Sequence, residues 1–133
     1  MGRIITSSGE QISFSISENK NWLFARSQNL YQIKSTEDCY HILPLVELER
    51  DKVISLLKGE IGNIKPNISP TELYSMLLKF SIRSNTHWGV MAIPKLKNKD
   101  LDEELIELIE RILNEKMYNQ KSRHTLAKIK SNR

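Results

Sequence analysis

The most reactive side chains of this sequence lie in one short stretch, Cys39-Tyr40-His41, which places a thiol and an imidazole two residues apart. In a strand these two side chains share a face, and with His87 they could form a metal site or a nucleophilic Cys–His pair. The three groups lack the paired ligand spacing that is typical of zinc sites. A lone cysteine is more often a small buried hydrophobe, so the pattern favours a structural role for Cys39.

The three histidines, His41, His87 and His124, could also supply the acid and the base of a metal-independent ribonuclease. Nothing in their spacing brings two of them together. His124 lies in a basic segment, where a solvent-exposed histidine is the simpler interpretation. A small ribonuclease is therefore the least favoured of the functions considered.

The carboxylates offer no clear acid–base pair either. Glu47 and Glu49 do not share a helix face, and the acidic residues from Asp100 to Glu110 have the spacing of a solvated helix surface. The sequence contains no Walker loop, no Gly-x-Gly-x-x-Gly and no Gly-x-Ser-x-Gly motif. We therefore expect a protein without catalytic residues, and nothing in the sequence implies a cofactor or a metal.

The C-terminal segment carries an uneven share of the charge. Residues 116–133 have six basic side chains and no acidic one, whereas residues 1–115 have a net charge of −2. Such a segment could neutralise the phosphates of a nucleic acid, or it could be a solubilising helix end. Its candidate nucleic-acid contacts are Lys116, Lys121, Arg123, Lys128 and Lys130, with Arg133 as the sixth cation. Because Tyr118 is the one aromatic residue of the segment, the prediction rests on electrostatics alone.

Five aromatic residues of the body have two interpretations. They are Trp22, Phe24, Tyr31, Tyr40 and Trp88. Aromatic side chains near the ends of a sheet often anchor a partner protein. The apolar residues beside them favour the interior of the protein instead.

The elements that must position these groups begin with two predicted β-hairpins. The run Arg3–Thr6 and the strictly alternating run Gln11–Ser17 predict the first hairpin. Trp22–Ala25 and Leu30–Ile33, on either side of a polar link, predict the second. A further short strand is predicted over Cys39–Leu43.

Apolar residues at helical spacing then predict three helices. The first covers Pro44–Lys58, and capping boxes at Ser69–Glu72 and Asp100–Glu103 begin the second and the third. Between the last two helices, a turn is predicted at 84–86 and a buried strand at His87–Ile93.

Strands in the N-terminal half, followed mainly by helices, predict an α+β fold. We expect an antiparallel sheet covered on one face by about three helices, with a basic C-terminal tail. The face of Ile12, Phe14 and Ile16 is expected to pack on the second helix. Residues 1–115 are predicted to form a single domain, and residues 116–133 a basic extension. Truncation of the chain after Tyr118 should leave its thermal stability nearly unchanged.

The length of 133 residues suits one domain. No apolar run reaches membrane-spanning length, the N-terminal residues predict no secretory leader, and one cysteine favours the reducing cytoplasm. A small non-catalytic protein of this kind usually binds another macromolecule.

Residue usage suggests which kind of partner. The chain is rich in Ile, Lys and Asn and poor in Ala, which resembles coding from AT-rich DNA and is common in mobile and accessory elements. We therefore expect a protein–protein interaction, with an immunity-type inhibitor of a toxin as the leading interpretation. The alternatives are a nucleic-acid-binding accessory protein that uses the basic tail, and the small ribonuclease.

Overall fold

The computed structural model describes residues 2–84 and 86–132. The N-terminal part is a four-stranded antiparallel sheet whose strands are neighbours in chain order. They are β1 (Gly2–Ile5), β2 (Gln11–Ile16), β3 (Trp22–Arg26) and β4 (Asn29–Ile33). Both predicted hairpins are confirmed.

Alternation along the strands gives the sheet one buried face. Ile4 lies opposite Ile12 in the β1–β2 pair, and Phe14 lies opposite Phe24 in the β2–β3 pair. All four side chains are buried, and the ring centroids of Phe14 and Phe24 are 6.1 Å apart. The aromatic rings and isoleucines of this face therefore form one wall of the core.

The rest of the chain is almost entirely helical. A 3-10 segment (Thr36–Glu47) follows the sheet, and five α-helices complete the part of the chain that the structure describes. They are α1 (Arg50–Ile61), α2 (Pro70–Ser84), α3 (Thr86–Ala92), α4 (Glu103–Asn114) and α5 (Gln120–Ser131), with short 3-10 turns at Ile93–Lys95 and Asn98–Asp100. The predicted α+β class with an antiparallel sheet is confirmed, and the helices outnumber the three predicted.

The helical elements nearest to the sheet differ from the expected ones. The backbone of α1 lies against β1 and β2, and the 3-10 segment lies against β4. Helix α2, which was expected to face Ile12 and Phe14, packs mainly on the 3-10 segment, α3 and α1.

The strand predicted over Cys39–Leu43 is wrong, because this stretch lies inside the 3-10 segment. The carboxylate of Asp38 accepts hydrogen bonds from the backbone N–H groups of Lys34 and Ser35, at 2.9 and 3.1 Å. These bonds start a helical turn directly after β4. The Ser35-x-x-Asp38 pattern was the signal that could have indicated it.

The first predicted helix begins too early, since α1 starts at Arg50 and not at Pro44. The chain is extended at Leu48, whose carbonyl oxygen accepts hydrogen bonds from the Tyr74 hydroxyl and from the Lys95 ammonium, both at 3.1 Å. Because side chains take up this carbonyl, the 3-10 segment ends without continuing into α1. The helix then continues to Ile61 and ends at Gly62, whose φ of 56° suits a residue without a Cβ.

The strand predicted over His87–Ile93 is also wrong, because most of this run forms α3. A short apolar run does not by itself distinguish a buried strand from a buried helix. The turn predicted before it is centred on Asn85, which lies outside the described residues.

One of the two predicted capping boxes is confirmed. The Ser69 hydroxyl accepts from the Glu72 N–H at 3.1 Å, and the Glu72 carboxylate accepts from the Ser69 N–H at 3.3 Å. At the start of α4 the capping residue is Asp102 rather than Asp100, since Asp102 accepts from the Leu105 N–H at 2.8 Å. Asp100 is buried and has another role.

A clasp formed by Asn67 and Ile68 joins the α1–α2 connection to the turn between β2 and β3. The Asn67 N–H donates to the Lys20 carbonyl, and its side-chain amide donates to the Asn21 side chain, each at 2.9 Å. The indole N–H of Trp22 donates to the Ile68 carbonyl at 2.7 Å. A loop and a hairpin that are distant in sequence are therefore held together.

The basic C-terminal segment is mostly helical. Helix α5 places the fully buried Leu126 in the same core cluster as the sheet and the other helices, and Ile129 packs against that cluster. Part of the basic segment therefore belongs to the hydrophobic core. Whether residues 1–115 fold alone stays a prediction, and Arg133 lies outside the described residues.

Candidate functional site

A cleft of about 320 Å³ opens at the surface where the sheet, the 3-10 segment and α3 meet. We call it the aromatic cleft. Its lining includes Arg26, Tyr31, Tyr40, His41, Pro44 and Trp88. The strands supply the first two of these residues, the 3-10 segment the next three and α3 the last.

The rings of the aromatic cleft are arranged in a fixed geometry. Tyr31 and His41 are stacked with centroids 4.0 Å apart and planes 9° from parallel. Tyr40 meets the edge of His41 at 5.4 Å, and 64% of its surface is exposed. Ring pairs in such geometries stabilise each other by about 0.5–1.5 kcal/mol beyond the area they bury. The cleft thus presents rings that already pack on one another.

The interpretation that all five body aromatics belong to the interior is correct for two of them. Trp22 and Phe24 are fully buried. Tyr40 is exposed, and Tyr31 and Trp88 are half-buried around the cleft. The turn started by Asp38 places Tyr40 and His41 beside Tyr31, which sequence periodicity did not reveal.

The charge in the aromatic cleft is compensated within the chain. The Arg26 guanidinium forms an ion pair with Glu10 through two nitrogens, one of them 3.1 Å from the carboxylate. Its remaining terminal nitrogen donates to the His41 carbonyl at 3.3 Å. Arg26 therefore joins the sheet to the 3-10 segment, and the cleft offers aromatic faces and polar edges rather than a free charge.

The groups singled out for chemistry lie in different surroundings. Cys39 is fully buried in the core, His41 lines the aromatic cleft, His87 lies 4.8 Å from the Trp88 ring, and His124 is exposed on α5. Among residues 2–84 and 86–132, no three His, Cys, Asp or Glu side chains are grouped as metal ligands would be. Cys39 is therefore shielded from solvent, and His41 and His124 lie on different elements of the described chain.

The Cys39 thiol lies in an environment that opposes ionisation. Burial, with smaller contributions from Asp38 and Glu37, raises the pKa of Cys39 to about 12. A thiol held in its protonated form is a poor nucleophile.

We expect Cys39 to make the protein less stable at alkaline pH. The thiol of an unfolded chain ionises near pH ~8.5, whereas the folded Cys39 thiol stays protonated. The contribution of Cys39 to the free energy of unfolding is therefore complete below that pH and is lost as the pH rises. Between pH 7.5 and 9.5 the unfolding free energy of the natural chain should fall by about 1.4 kcal/mol more than that of Cys39→Ala. Urea unfolding of both proteins at the two pH values measures this difference, and equal losses would contradict it.

The predicted nucleic-acid contacts do not form one patch. At 3.6 residues per turn, Lys121 and Lys128 lie on one flank of α5, roughly 160° around the axis from Arg123 and Lys130. Lys130 forms an ion pair with Glu110 on α4 at 3.4 Å. Lys116 lies between α4 and α5. The structure thus separates the five residues into distinct surroundings.

The flank of Lys128 faces a second, open groove of about 380 Å³. We call it the basic groove. On one side it is lined by Leu96, Lys97 and Asn98, and on the other by Thr125, Lys128, Ile129 and Asn132 of α5 and its end. Lys97 was not among the predicted contacts. The alternating lysines of Lys95–Lys99 are the sequence signal that could have indicated it.

A buried ion pair fixes one wall of the basic groove. The side chains of Arg50 and Asp100 are 5% and 0% exposed, and they form a salt bridge. Asp100 also accepts hydrogen bonds from the Ser75 hydroxyl and, at 2.8 Å, from the Lys97 N–H. The arrangement positions residues 97–100 beside the groove.

No family model, no curated protein and no solved structure matches this chain. Within the described ranges, none of the helices is both long and apolar enough to cross a bilayer. The interpretation of function therefore depends on the two grooves themselves.

Proposed function

We propose that this protein acts by binding another protein, and that the partner inserts an uncharged side chain into the aromatic cleft. The supporting observation is the largely exposed Tyr40 beside the stacked Tyr31 and His41. Tyr, Trp and Arg are the residues that most often dominate the energy of protein interfaces. Since these rings already pack on one another, binding would cost little side-chain entropy.

The charges of the aromatic cleft favour a protein over a nucleic acid as the partner. A nucleic acid brings phosphates, and its affinity depends on uncompensated Lys and Arg side chains. The lining cation of this cleft, Arg26, is already paired with Glu10. An apolar or aromatic side chain from a protein surface fits a site without free charge better than a phosphate does.

Within this class we propose an immunity-type inhibitor that acts in the cytoplasm. Residue usage typical of accessory elements supports it, and the single cysteine supports the compartment. An inhibitor of this kind needs an ordered contact surface and no chemistry of its own. The partner proposed on this basis is the product of the gene adjacent to its own.

The test is co-expression with that neighbouring product, followed by a titration. We expect a complex that Tyr40→Ala weakens by roughly 30-fold, because removing one interface hot spot costs about 2 kcal/mol. Ile64→Ala is the matched control, since Ile64 is an exposed apolar residue that does not line the aromatic cleft. Thermal unfolding of both variants shows whether each remains folded.

Each outcome separates the parts of this proposal. Failure to form a complex with the neighbouring product would overturn the immunity-type function. A complex that Tyr40→Ala and Ile64→Ala weaken equally would overturn the assignment of the aromatic cleft. Tyr40-dependent binding of an RNA oligonucleotide would replace the protein partner with a nucleic acid.

A further inference from the structure

The basic groove combines cations from two segments that are distant in sequence. Lys97 precedes the 3-10 turn at Asn98–Asp100, and Lys128 lies near the end of α5. The side-chain amide of Asn98 donates to the Asn132 carbonyl at 3.4 Å, which holds the two walls together. Lys97 is further fixed through its N–H bond to the buried Asp100.

The charges of the basic groove are not compensated by the chain itself. Lys97 and Lys128 in the groove, and Lys121 on the same flank of α5, make no ion pair with any described residue, and no carboxylate lines the groove. By contrast, Lys130 on the other flank of α5 is paired with Glu110. The near flank of α5 therefore attracts anions more strongly than the far flank.

The shape of the basic groove favours a chain of phosphates over a single ion. Lys121, Thr125, Lys128 and Asn132 follow one another at intervals of three or four residues along one side of α5. At about 1.5 Å per residue this row extends for about 16 Å. Repeated charges along a polymer match such a row, whereas one phosphate ion would contact a single lysine of it.

We propose that the basic groove binds the phosphate backbone of a nucleic acid, with Lys97 and Lys128 in the groove and Lys121 on the same flank of α5 as the cationic contacts. No aromatic side chain lines the groove, so binding depends on the backbone and not on the bases. This site is separate from the aromatic cleft, and it does not depend on the proposed protein partner.

Fluorescence anisotropy with a labelled oligo(dT) of about 20 nucleotides tests the proposal. We expect Lys97→Gln combined with Lys128→Gln to weaken binding by roughly tenfold or more at low salt. The double variant should also reduce the slope of log K against log salt by about 1.4, because each of the two lost phosphate contacts removes about 0.7. The matched control is Arg123→Gln combined with Lys130→Gln, which removes the same charge from the other flank of α5. We expect the control to lose less than about threefold.

Three results would overturn the proposal. The natural chain could fail to bind the oligonucleotide at low salt, or the two double variants could weaken binding equally, which would indicate attraction by net charge alone. In a competition arm, inorganic phosphate could displace the oligonucleotide more effectively than chloride at the same ionic strength, which would indicate a site for a single phosphate. Thermal unfolding confirms that both double variants are folded in each comparison.

Discussion

Replacing Asp100 with alanine is expected to destabilise the protein by about 3–5 kcal/mol, because it leaves the buried Arg50 guanidinium without a counter-charge. Arg50 lies over the Tyr74 ring at 5.0 Å, and it donates to the Lys95 carbonyl at 3.0 Å. Its Nε and Nη1 atoms have no hydrogen-bond partner among the described residues. Asp100 is thus its main source of compensation, and water cannot readily take over this role.

Asp102→Ala is the matched control for Asp100→Ala. The Asp102 side chain is half-exposed; it pairs with Lys79 at 2.7 Å and caps α4, so its loss should cost only about 1 kcal/mol. Urea unfolding measures both variants. Equal costs would show that the pair of Arg50 and Asp100 contributes no more than a surface ion pair.

A double variant separates the charge from the packing. Arg50→Met with Asp100→Leu removes both ions and keeps apolar volume, and it should be far less destabilising than Asp100→Ala alone. A double variant as unstable as Asp100→Ala would show that the loss comes from the shape of the site and not from an unpaired charge.

Leu126→Ala is expected to cost about 2–5 kcal/mol, as a fully buried leucine normally does. His124 is exposed and lies about half a turn from Leu126 on α5, so His124→Ala should alter the unfolding free energy by less than about 0.5 kcal/mol. Chemical denaturation gives both values.

The same packing changes the expected result of truncation after Tyr118. Removing α5 would expose the core where Leu126 and Ile129 pack, so we expect a marked loss of thermal stability rather than none. Two results together would support the division at residue 116 that the charge pattern predicts. The truncated chain would keep its melting temperature, and Leu126→Ala would lower the free energy of unfolding by less than about 1 kcal/mol.

The local features of the fold were predictable and the long-range ones were not. Strict alternation in β2 and the capping box at Ser69–Glu72 act over a few residues, so periodicity and spacing indicate them. The helical form of Cys39–Leu43 is also marked locally, by the Asp38 carboxylate, which the prediction of a strand overlooked. The break before α1, by contrast, depends on side chains from α2 and residue 95. No local pattern contains those tertiary partners.

The two candidate sites differ in the same way. Lys121 and Lys128 were predictable because charge is visible in the sequence, although their separation from Arg123 and Lys130 required a helix. The aromatic cleft combines three separate segments of the chain. Asp100 also shows that a partner distant in sequence cannot be found from local spacing, because its partner Arg50 is 50 residues away. A capping role for Asp100 explains its position in the sequence equally well.

The clasp between Asn67 and the β2–β3 turn affects how the native state opens. A hairpin turn is usually among the first regions to exchange its amide hydrogens, since it can open without disturbing the rest of the protein. Here the Asn67 N–H bonds to the Lys20 carbonyl within that turn, and the Trp22 indole bonds to the Ile68 carbonyl. Opening the turn therefore also breaks bonds of the α1–α2 connection. The Asn67 amide should exchange deuterium at the rate of the hairpin it contacts, so that the two regions form one cooperative unit rather than two independently fluctuating loops.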